Sequence, residues 1–249
     1  MRYKQGRRNG DMNTISSSQE DHDCCVLLLV KFPEKEKVKH RLAVGLAEDI
    51  AVELYRNFVL DTLSMLEELS FPFYVCFYPA EAQKKFFNWL GTQYQFLPQE
   101  GANIGERMRS CFKRAFALGF HRVVLIGSDS PDLPDEYLRN AFSALQTKEV
   151  VLGPAVDGGY YLIGFRDTTF TPSAFEEIHW STPSVFAETM AKIKKANRTV
   201  HLLPSWSDVD TVNDLRNLVI RATNTSFKSS RTITYVRQHH IVMEDEHGG

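Results

Sequence analysis

The sequence predicts an α/β protein with a single three-layer domain and a mainly parallel central sheet. Short apolar runs typical of strands alternate with segments of helical periodicity from residue 24 to residue 222, which is the pattern of repeated βαβ units. Several of these runs are apolar at consecutive positions, as in strands that are buried on both faces. The chain has 249 residues, of which 43% are hydrophobic, and this is enough for one large core. We therefore expect one domain over residues 24–222.

Seven segments are predicted to be strands from their composition and their boundaries. The first is a nearly unbroken apolar run that ends near Pro33, and the second ends at Pro79. The fourth is the β-branched run that leads into Asp129, and two later strands flank a turn at Asp157. In order, the predicted strands are residues 24–32, 71–78, 94–97, 122–129, 149–154, 159–165 and 199–203.

Six helices are predicted between these strands from apolar residues that recur at spacings of three and four. Gly119 would end the third helix, and Pro183 stands at a position that helices tolerate near their start. Thr211 and Asp214 have the spacing of a capping box at the start of the last helix. In order, the predicted helices are residues 46–69, 81–90, 103–118, 135–145, 183–196 and 211–222.

Two polar segments flank the predicted domain. Residues 1–23 are predicted to be a disordered N-terminal tail, because they are polar and lack the apolar stretch of a secretory signal. Residues 223–249 are predicted to be a polar C-terminal extension, in which residues 232–236 are a candidate edge strand.

Charge, hydropathy and cysteine usage narrow the class of protein. The formal net charge of −2 does not favour a nucleic-acid partner, and no apolar run approaches the length of a membrane span. The four cysteines lack a metal-binding spacing and lie in apolar patterns. We therefore expect buried, reduced thiols in a cytoplasmic protein. The oligomeric state is left open.

Asp129 is the leading candidate for a site residue. It follows the apolar run 123–126 and precedes a polar turn that contains Pro131. A carboxylate at the carboxyl end of a parallel strand lies where open α/β sheets bind ligands. Its oxygens suit Mg²⁺ or Mn²⁺ held against a phosphate. Asp132 in the same segment fits the chemistry of an ordinary turn.

A cation-rich loop follows the first predicted strand. Residues 31–41 carry five strong cations just before a helix, where helix amides and cations together favour phosphate binding. Lys39 and Arg41 are the candidates for phosphate contact, and the alternative is a solvated charged surface. Arg107, in the segment 101–108, is either a phosphate ligand or a partner in a surface ion pair.

Two more carboxylates lie in the segment 206–215. Asp208 and Asp210 alternate along the chain, so one of them could approach a metal at Asp129 while the other points away. The alternative for Asp210 is a structural role as a helix cap.

A glycine-rich turn lies in the segment 153–164. Gly158 and Gly159 form either an ordinary hairpin turn or a place where a ligand approaches the backbone closely. Asp157 could orient an acceptor hydroxyl. By strand alternation, one of the two following tyrosines should face the ligand and the other the core; Tyr160 is our choice for the ligand side.

Six of these segments occur in an order that resembles one known family. They are residues 31–42 (KFPEKEKVKHRL), 103–108 (NIGERM), 126–133 (IGSDSPDL), 153–162 (GPAVDGGYYL), 180–182 (WST) and 208–211 (DVDT). They resemble the glycosyltransferase-like family also called radical-SAM/selenodomain-associated transferases, of which some members are named arsenosugar-biosynthesis glycosyltransferases. This family is similar to phospholactate guanylyltransferases and molybdenum-cofactor nucleotidyltransferases. The resemblance covers residues 24–222 and implies a Rossmann-like nucleotide-diphospho-sugar transferase fold of the GT-A type.

The resemblance also implies roles for single residues. Asp129 stands where the superfamily places its metal aspartate, and Asp210 stands where a second metal ligand often lies. Lys39 and Arg41 stand in the nucleotide-phosphate loop. The predicted catalytic residues are Asp129, Asp157 and Lys39; the nucleotide- and phosphate-binding residues are Lys31, Lys39, Arg41, Arg107, Gly127 and Ser128; the acceptor-binding residues are Gly158, Gly159 and Tyr160; the metal ligands are Asp129, Asp208 and Asp210.

The sequence departs from the family pattern at three positions. Glu36 stands where the family usually has glycine, His40 where it has threonine or serine, and Asn103 where it often has aspartate. The first two changes lie in the loop that has to wrap around phosphates, so this loop is expected to have a shape of its own.

The expected function is that of a transferase that depends on Mg²⁺ or Mn²⁺ and uses a nucleotide-activated donor. The resemblance favours glycosyl transfer from a nucleotide sugar to a small-molecule acceptor. The cation-rich loop, which is typical of relatives that handle triphosphates, favours nucleotidyl transfer from a nucleoside triphosphate instead. A third hypothesis is a non-catalytic nucleotide-binding module, and the presence of Asp210 as well as Asp129 argues against it.

Overall fold

The computed structural model describes residues 23–241, and within them seven strands form one sheet. The strands are β1 (Cys24–Lys31), β2 (Phe73–Tyr78), β3 (Gln95–Pro98), β4 (Arg122–Ile126), β5 (Val150–Pro154), β6 (Tyr160–Arg166) and β7 (Val200–Leu202). The α-helices are α1 (His40–Gly45), α2 (Glu48–Leu69), α3 (Gln83–Leu90), α4 (Ile104–Ala117), α5 (Asp135–Ala144), α6 (Val185–Lys195), α7 (Val212–Ala222) and α8 (Arg231–Gln238). Short 3-10 helices cover Ala80–Ala82, Asp167–Thr169, Pro172–Phe175 and Ser226–Ser229.

The sheet has the strand order β3-β2-β1-β4-β6-β5-β7 and is mainly parallel. β1 lies in parallel between β2 and β4, β3 pairs in parallel with β2, and β7 pairs in parallel with β5. β6 runs antiparallel to β4 and to β5, because the short turn after β5 returns the chain directly. The predicted fold class, a three-layer α/β domain with a mainly parallel sheet, is confirmed.

Alternation along the strands builds two core layers, since successive side chains point to opposite faces of a sheet. In β1, Val26 and Leu28 face one layer, while Cys25 and Leu27 face the other. Helices α2, α3 and α5 cover the first face, and α4 and α6 cover the second. Cys24 lies on the face opposite to Cys25, as expected for neighbours in a strand.

Two boundaries near the candidate site differ from the prediction. A separate short helix, α1, starts directly after Lys39, and the chain is extended at Leu46 and Ala47 before α2 begins. In addition, β4 ends at Ile126, so Asp129 stands in the loop beyond the strand and not in the strand itself. Lys39 and Asp129 are therefore both loop residues next to regular structure, whereas Arg41 lies in α1.

The prediction of an edge strand at residues 232–236 is wrong, because these residues lie in helix α8. The buried carboxylate of Asp61 in α2 accepts hydrogen bonds from the first two backbone N–H groups of α8, at 3.0 and 2.8 Å. Ile233 and Val236, three residues apart, pack with Ile241 into an outer cluster shared with α2 and α7. A capped helix start and an apolar helical face outweigh the β propensity of this segment, and the compact unit extends beyond residue 222.

The described chain begins at Asp23 and ends at Ile241. Residues 1–22 of the predicted N-terminal tail lie outside the described residues, and the backbone carbonyl of Asp23 accepts hydrogen bonds from the N–H groups of His121 and Arg122. Between residues 23 and 241, no helix combines the length and the apolar character needed to cross a membrane.

Candidate functional site

A cleft of about 1010 Å³ opens at the carboxyl ends of the parallel strands. This is the edge of an open α/β sheet where ligands bind. Its walls come from the ends of β1, β2 and β4, from the turn between β5 and β6, and from the segments before α1, α4, α6 and α7. Predicted site residues that line it are Lys31, Lys39, Arg41, Arg107, Gly127, Ser128, Asp129, Asp157, Gly159, Tyr160, Asp208 and Asp210.

Lys39 is at the centre of an ion network in this cleft. Its ammonium Nζ lies 2.5 Å from Asp129 Oδ1 and 3.0 Å from Asp210 Oδ1, and it donates a hydrogen bond to the Val209 carbonyl oxygen at 2.8 Å. Arg41 Nη2 pairs with the other oxygen of Asp210. The predicted phosphate ligands and metal ligands are therefore brought together, with the lysine bound to the carboxylates.

The local backbone sets this geometry. Lys39 has φ 51° and ψ 43°, a left-handed conformation, immediately before α1, and its side chain is only 3% exposed. The backbone N–H of Val209 donates to the carbonyl oxygen of Asp129 at 2.8 Å, so the loop after β4 and the segment before α7 are joined. Asp210 is not the cap of α7; Thr211 and Asp214 form the predicted capping box.

The network shifts the acidity of its members. Burial alone would lower the pKa of the Lys39 ammonium, but the carboxylates of Asp129 and Asp210 outweigh this effect and raise it. Burial would raise the pKa of Asp210, but Lys39 and Arg41 together hold it below the usual range. Both residues are therefore charged at neutral pH, and the network is a set of fixed ions.

Asp208 has a different environment from Asp210. Ser130 Oγ donates to Asp208 Oδ1 at 2.6 Å. Burial raises the pKa of Asp208 to about 6, with further increases from the negative charges of Asp129 and Asp157 and a partial offset from the Ser130 hydrogen bond. The carboxylates of Asp129, Asp157 and Asp208 therefore concentrate negative charge on this side of the cleft, and a bound cation would neutralise part of it.

The cleft also contains two cations, Lys31 and Arg107, for which no ion pair is found among the described residues. Burial lowers the pKa of Lys31, and the neighbouring cations Arg107 and Lys37 lower it further. The Cζ atom of the Arg107 guanidinium lies over the ring of Tyr78, 4.3 Å from its centroid, and the buried Nε of Arg107 has no hydrogen-bond partner. Two desolvated cations side by side are an arrangement that an anionic group would stabilise.

The turn between β5 and β6 brings Asp157 and Gly159 to the cleft. The backbone N–H of Gly159 donates to Asp157 Oδ1 at 2.9 Å. Gly158 has φ 93°, and a Cβ there would lie 2.2 Å from the Pro183 carbonyl oxygen. Gly158 therefore packs against the segment before α6, and it is not among the described residues that line the cleft; its predicted acceptor role stays a prediction.

The two tyrosines after this turn differ as alternation requires. Tyr161 is 5% exposed, belongs to the core, and donates to the Pro204 carbonyl oxygen at 2.9 Å. Tyr160 lies on the opposite face and contributes to the cleft wall, and burial raises its pKa. Both tyrosines line the cleft, and the predicted acceptor-binding role of Tyr160 stays a prediction.

Several cleft residues were not predicted from the sequence. Tyr55 of α2 holds the cleft floor: the Lys31 N–H donates to its hydroxyl at 2.9 Å, and Ser128 Oγ lies 3.1 Å from it. Gln99 is buried, and its amide donates to the carbonyl oxygens of Cys76 and Val30 at 2.6 and 3.4 Å. In the sequence, Tyr55 lies within a predicted helix and Gln99 follows a predicted strand, and neither position by itself indicates a cleft residue.

The segment before α6 also lines the cleft, through Trp180, Ser181, Thr182 and Pro183. The indole of Trp180 packs against Gly105 at the start of α4, where a Cβ would lie 2.6 Å from the ring. Ser181 has φ 64°, a left-handed conformation. The motif W-S-T within the family resemblance was the one signal in the sequence that pointed to this wall.

Comparison with known proteins places the chain in a family. A profile of the DUF2064 family, described as an uncharacterized protein conserved in bacteria, matches residues 62–182. A crystal structure from Desulfovibrio desulfuricans G20, described as a "putative nucleotide-diphospho-sugar transferase", is 43% identical to the chain with a TM-score of 0.84. The match covers 88% of this chain and 95% of that one. The chain belongs to the same family as the Desulfovibrio protein.

More distant structures share the fold. The inositol-1-phosphate CTP transferase from T. maritima has a TM-score of 0.52 at 14% identity, over 84% of this chain and 97% of that one. Rv0371C from Mycobacterium tuberculosis H37Rv, in complex with manganese, has a TM-score of 0.50 at 16% identity, over 80% and 98%. The comparison with functionally curated proteins found no match. At these identities, the two distant structures support the fold of this family and nothing finer.

The donor atoms of the cleft fit a divalent cation that is bound together with a ligand. Among residues 23–241, no group of three or more His, Cys, Asp or Glu side chains is arranged to hold a metal ion alone. The oxygens of Asp129 and Asp210 already surround one cation, the Lys39 ammonium. Mg²⁺ is usually held by one or two carboxylates together with water and substrate phosphates, so the residues present suit that mode of binding.

Proposed function

We propose that this protein is a transferase that uses a nucleotide-activated donor and a divalent cation, and that it moves a sugar from a nucleotide sugar to a small-molecule acceptor. The observation that carries the proposal is the charge arrangement of the cleft. Carboxylates at Asp129, Asp208 and Asp210 line the same cleft as two cations, Lys31 and Arg107, for which no ion pair is found among the described residues. The description of the Desulfovibrio relative supports the same class of donor.

On the donor side, the residues bind and neutralise a diphosphate. Lys31 and Arg107 are proposed to contact phosphate oxygens, and the backbone of Gly127 and Ser128 lies close enough to the cleft for a phosphate to approach it. Asp129, Asp208 and Asp210 are the candidates to hold Mg²⁺ or Mn²⁺. When bound, such a cation stabilises the negative charge that develops on the departing diphosphate.

On the acceptor side, the turn after β5 is proposed to position a hydroxyl group. Asp157 is exposed, and its Oδ1 is fixed by the Gly159 N–H at 2.9 Å, which leaves its other oxygen available to accept from the acceptor hydroxyl. Tyr160 would form the adjoining wall. In the proposed step, the acceptor oxygen forms a bond to the sugar's anomeric carbon, the bond from that carbon to the diphosphate breaks, and the hydroxyl proton leaves toward Asp157 or water.

Nucleotidyl transfer is the second candidate, and the position of Lys31 favours it. Lys31 lies within Coulombic range of the cations Arg107 and Lys37 at the end of β1, and positive charge concentrated in this way would favour a triphosphate. In that reaction, an acceptor phosphate oxygen would form a bond to the α-phosphorus of a nucleoside triphosphate, and pyrophosphate would leave. Both candidates use the same cleft and differ in the bond that breaks.

Product analysis separates the two reactions. The protein is incubated with Mn²⁺ or Mg²⁺, a mixture of hydroxyl- and phosphate-bearing small molecules, and either nucleotide sugars or nucleoside triphosphates. Release of nucleoside diphosphate from a nucleotide sugar supports glycosyl transfer, and release of pyrophosphate from a triphosphate supports nucleotidyl transfer. If neither product forms with any donor while nucleotides still bind, the protein is a nucleotide-binding module.

Thermal shift with a matched pair of variants tests the donor site independently of turnover. A nucleotide ligand at about 100 times its Kd stabilises the folded state by about 2.7 kcal/mol, or roughly 5–10 °C for a chain of this size. Arg107→Met should weaken binding by about 10- to 100-fold, since one charge-assisted contact is lost. Arg109→Met is the control, because Arg109 pairs with Glu176 outside the cleft. No shift with any nucleotide would reject both enzyme hypotheses.

The cysteines support a cytoplasmic location as part of the same proposal. All four, Cys24, Cys25, Cys76 and Cys111, are buried. Burial raises the pKa of the Cys25 and Cys76 thiols, so the reactive thiolate forms are disfavoured. Buried, protonated thiols of this kind are typical of proteins from reducing compartments.

A further inference from the structure

Lys39 occupies a set of oxygen atoms of the kind that binds a metal ion. Its ammonium lies within 3.0 Å of three of them: Asp129 Oδ1 at 2.5 Å, the Val209 carbonyl oxygen at 2.8 Å and Asp210 Oδ1 at 3.0 Å. Carboxylate and backbone carbonyl oxygens are the ligands that hard divalent cations prefer. The inference that follows rests on the proposed function, because it concerns the cation of that same site.

The ammonium and a divalent cation cannot share these oxygens. Mg²⁺ would approach them to about 2.0–2.1 Å, closer than the present ammonium contacts, so its centre would fall within the space that the ammonium fills. Two positive centres at such a separation also repel each other. The Lys39 side chain is 3% exposed, and solvent therefore does little to screen this repulsion.

Lys39 itself lines the cleft, so its ammonium lies next to the space that a ligand would occupy. Its side chain lies along the cleft wall, beside the Phe58 ring with Nζ 5.5 Å from the ring centroid. The loop that carries it holds two non-glycine residues, Glu36 and Lys39, in left-handed conformations with φ 59° and 51°. Such conformations persist when surrounding contacts hold them, and here the ion contacts of Lys39 are among those contacts.

We infer that Lys39 is a counter-ion in the resting site, and that a divalent cation competes with its ammonium for Asp129, Asp210 and the Val209 carbonyl. When the cation binds, the ammonium moves out of this oxygen set into the cleft, where the donor phosphates lie. Lys39 is thus a positioning residue that couples occupation of the cation site to delivery of one positive charge to the donor. Cation binding and phosphate binding should therefore assist each other.

A Mn²⁺ titration without nucleotide tests this competition directly. Free Mn²⁺ is measured by electron paramagnetic resonance for the wild-type chain, for Lys39→Met and for the control Lys31→Met. Lys31 is the matched control because it is a lysine within Coulombic range of Asp129, yet it makes no contact with the three oxygens. Lys39→Met should bind Mn²⁺ at least about tenfold more tightly than wild type. The Mn²⁺ affinity of Lys31→Met should differ from that of wild type by less than about threefold.

The outcomes separate this inference from the proposed function. If Lys39→Met binds Mn²⁺ as the wild type does, or more weakly, the ammonium does not occupy the cation's place and the inference is rejected. Equal tightening in both variants would mean a general effect of removed charge, which also rejects it. If none of the three proteins binds Mn²⁺, either alone or in a repeat titration with a nucleoside diphosphate present, the cation is absent from the function itself and both proposals are rejected in that respect.

A measurement on the wild-type chain covers the case in which Lys39→Met fails to fold. Lys39 should react slowly with acetic anhydride while its ammonium is bound between carboxylates, and its acetylation, followed by peptide mass spectrometry, should increase severalfold when Mn²⁺ is added. Lys84 is exposed and serves as the internal control with unchanged reactivity. An acetylation rate at Lys39 that Mn²⁺ leaves unchanged or lowers would overturn the inference.

Discussion

Asp129 and Asp132 lie in one loop after β4, yet they belong to different parts of the molecule. Asp129 is 49% exposed, and its contact to Lys39 faces the cleft. Asp132 is 6% exposed, and both of its oxygens accept hydrogen bonds from the Arg221 guanidinium, at 3.0 and 3.3 Å. The Trp206 indole N–H donates to it as well, at 3.3 Å. The sequence assigned one to a site and the other to a turn.

The two aspartates have different roles because their cationic partners come from different parts of the molecule, although the aspartates themselves lie in the same loop. Lys39 comes from the loop after β1, and its contact leaves Asp129 open to the cleft. Arg221 comes from the end of α7, and together with Trp206 it donates three hydrogen bonds to Asp132 and ties this helix to the loop. A nearly buried carboxylate with most of its acceptor positions used stabilises the fold and is poorly placed to bind a ligand.

The largest expected effect is on turnover when Asp129 is changed. Asp129→Asn keeps the size of the side chain but removes the charge that would hold the cation, so donor turnover should fall by about 10³-fold, or about 4 kcal/mol. Lys39 keeps Asp210 and the Val209 carbonyl, so the free energy of unfolding should fall by no more than about 1–2 kcal/mol. Product formation and urea unfolding measure the two quantities.

Two results would contradict the prediction for Asp129. If Asp129→Asn loses as much stability as activity, Asp129 is a structural residue like Asp132. If turnover persists at the wild-type level in the folded variant, the cation does not depend on this carboxylate, and the proposed site is wrong.

The second effect is on stability when Asp132 is changed. Asp132→Asn should lower the free energy of unfolding by about 2–3 kcal/mol, because Arg221 loses a nearly buried partner. Turnover per folded molecule should stay within about twofold of wild type, since Arg221 and Trp206, which donate to Asp132, do not line the cleft. Chemical unfolding and an activity assay at low temperature measure the two quantities.

A double-mutant cycle sharpens the result. Arg221→Met should have a similar effect to Asp132→Asn, and the double variant should lose less stability than the two single losses combined. Additive losses would show that the pair contributes little and that the effect of Asp132→Asn has another origin.

The fold was predictable from the sequence because its elements are marked by local patterns. The β-branched run before Gly127 and the capping box at Thr211 and Asp214 are such patterns, and the structure confirms them. The segment 232–236 was not predictable in the same way. Its β-branched residues favour a strand, and the carboxylate that caps the helix, Asp61, lies 170 residues away along the chain.

The candidate site was predictable in its members but not in its pairings. The sequence could place Lys39 in the loop before a helix and Asp210 in the segment before the last helix, because position and residue type are local. It could not show that their side chains meet, since this contact depends on a backbone conformation at Lys39 that is rare outside glycine. Tyr55 and Gln99 were missed for a related reason: their hydrogen bonds connect elements that are distant in sequence.

A third aspartate pair, His121 with Asp167, lies at the opposite end of β4 and is neither part of the cleft nor buried. His121 directly precedes β4, and its Nδ1 lies 2.6 Å from Asp167 Oδ2. The His121 side chain is 60% exposed, so water and salt weaken the interaction. The hydrogen bond and the charge of Asp167 raise the pKa of His121 above its ordinary value. This third aspartate pair should therefore contribute to stability only weakly and only at low pH.

The smallest predicted effect is the pH-dependent loss of stability in His121→Gln. Because the pKa of His121 is raised in the folded state, its stabilisation is fully present below the unfolded pKa of about 6.5 and is lost as the pH rises through the folded value. The variant should be less stable than wild type by about 0.2–0.5 kcal/mol at pH 5.5, with no difference at pH 8.5. Urea unfolding at both pH values measures it, and 1 M salt should reduce the difference. A loss that persists at pH 8.5 would mean that His121 stabilises the fold by packing, and the pair would then resemble Asp132 more than a surface ion pair.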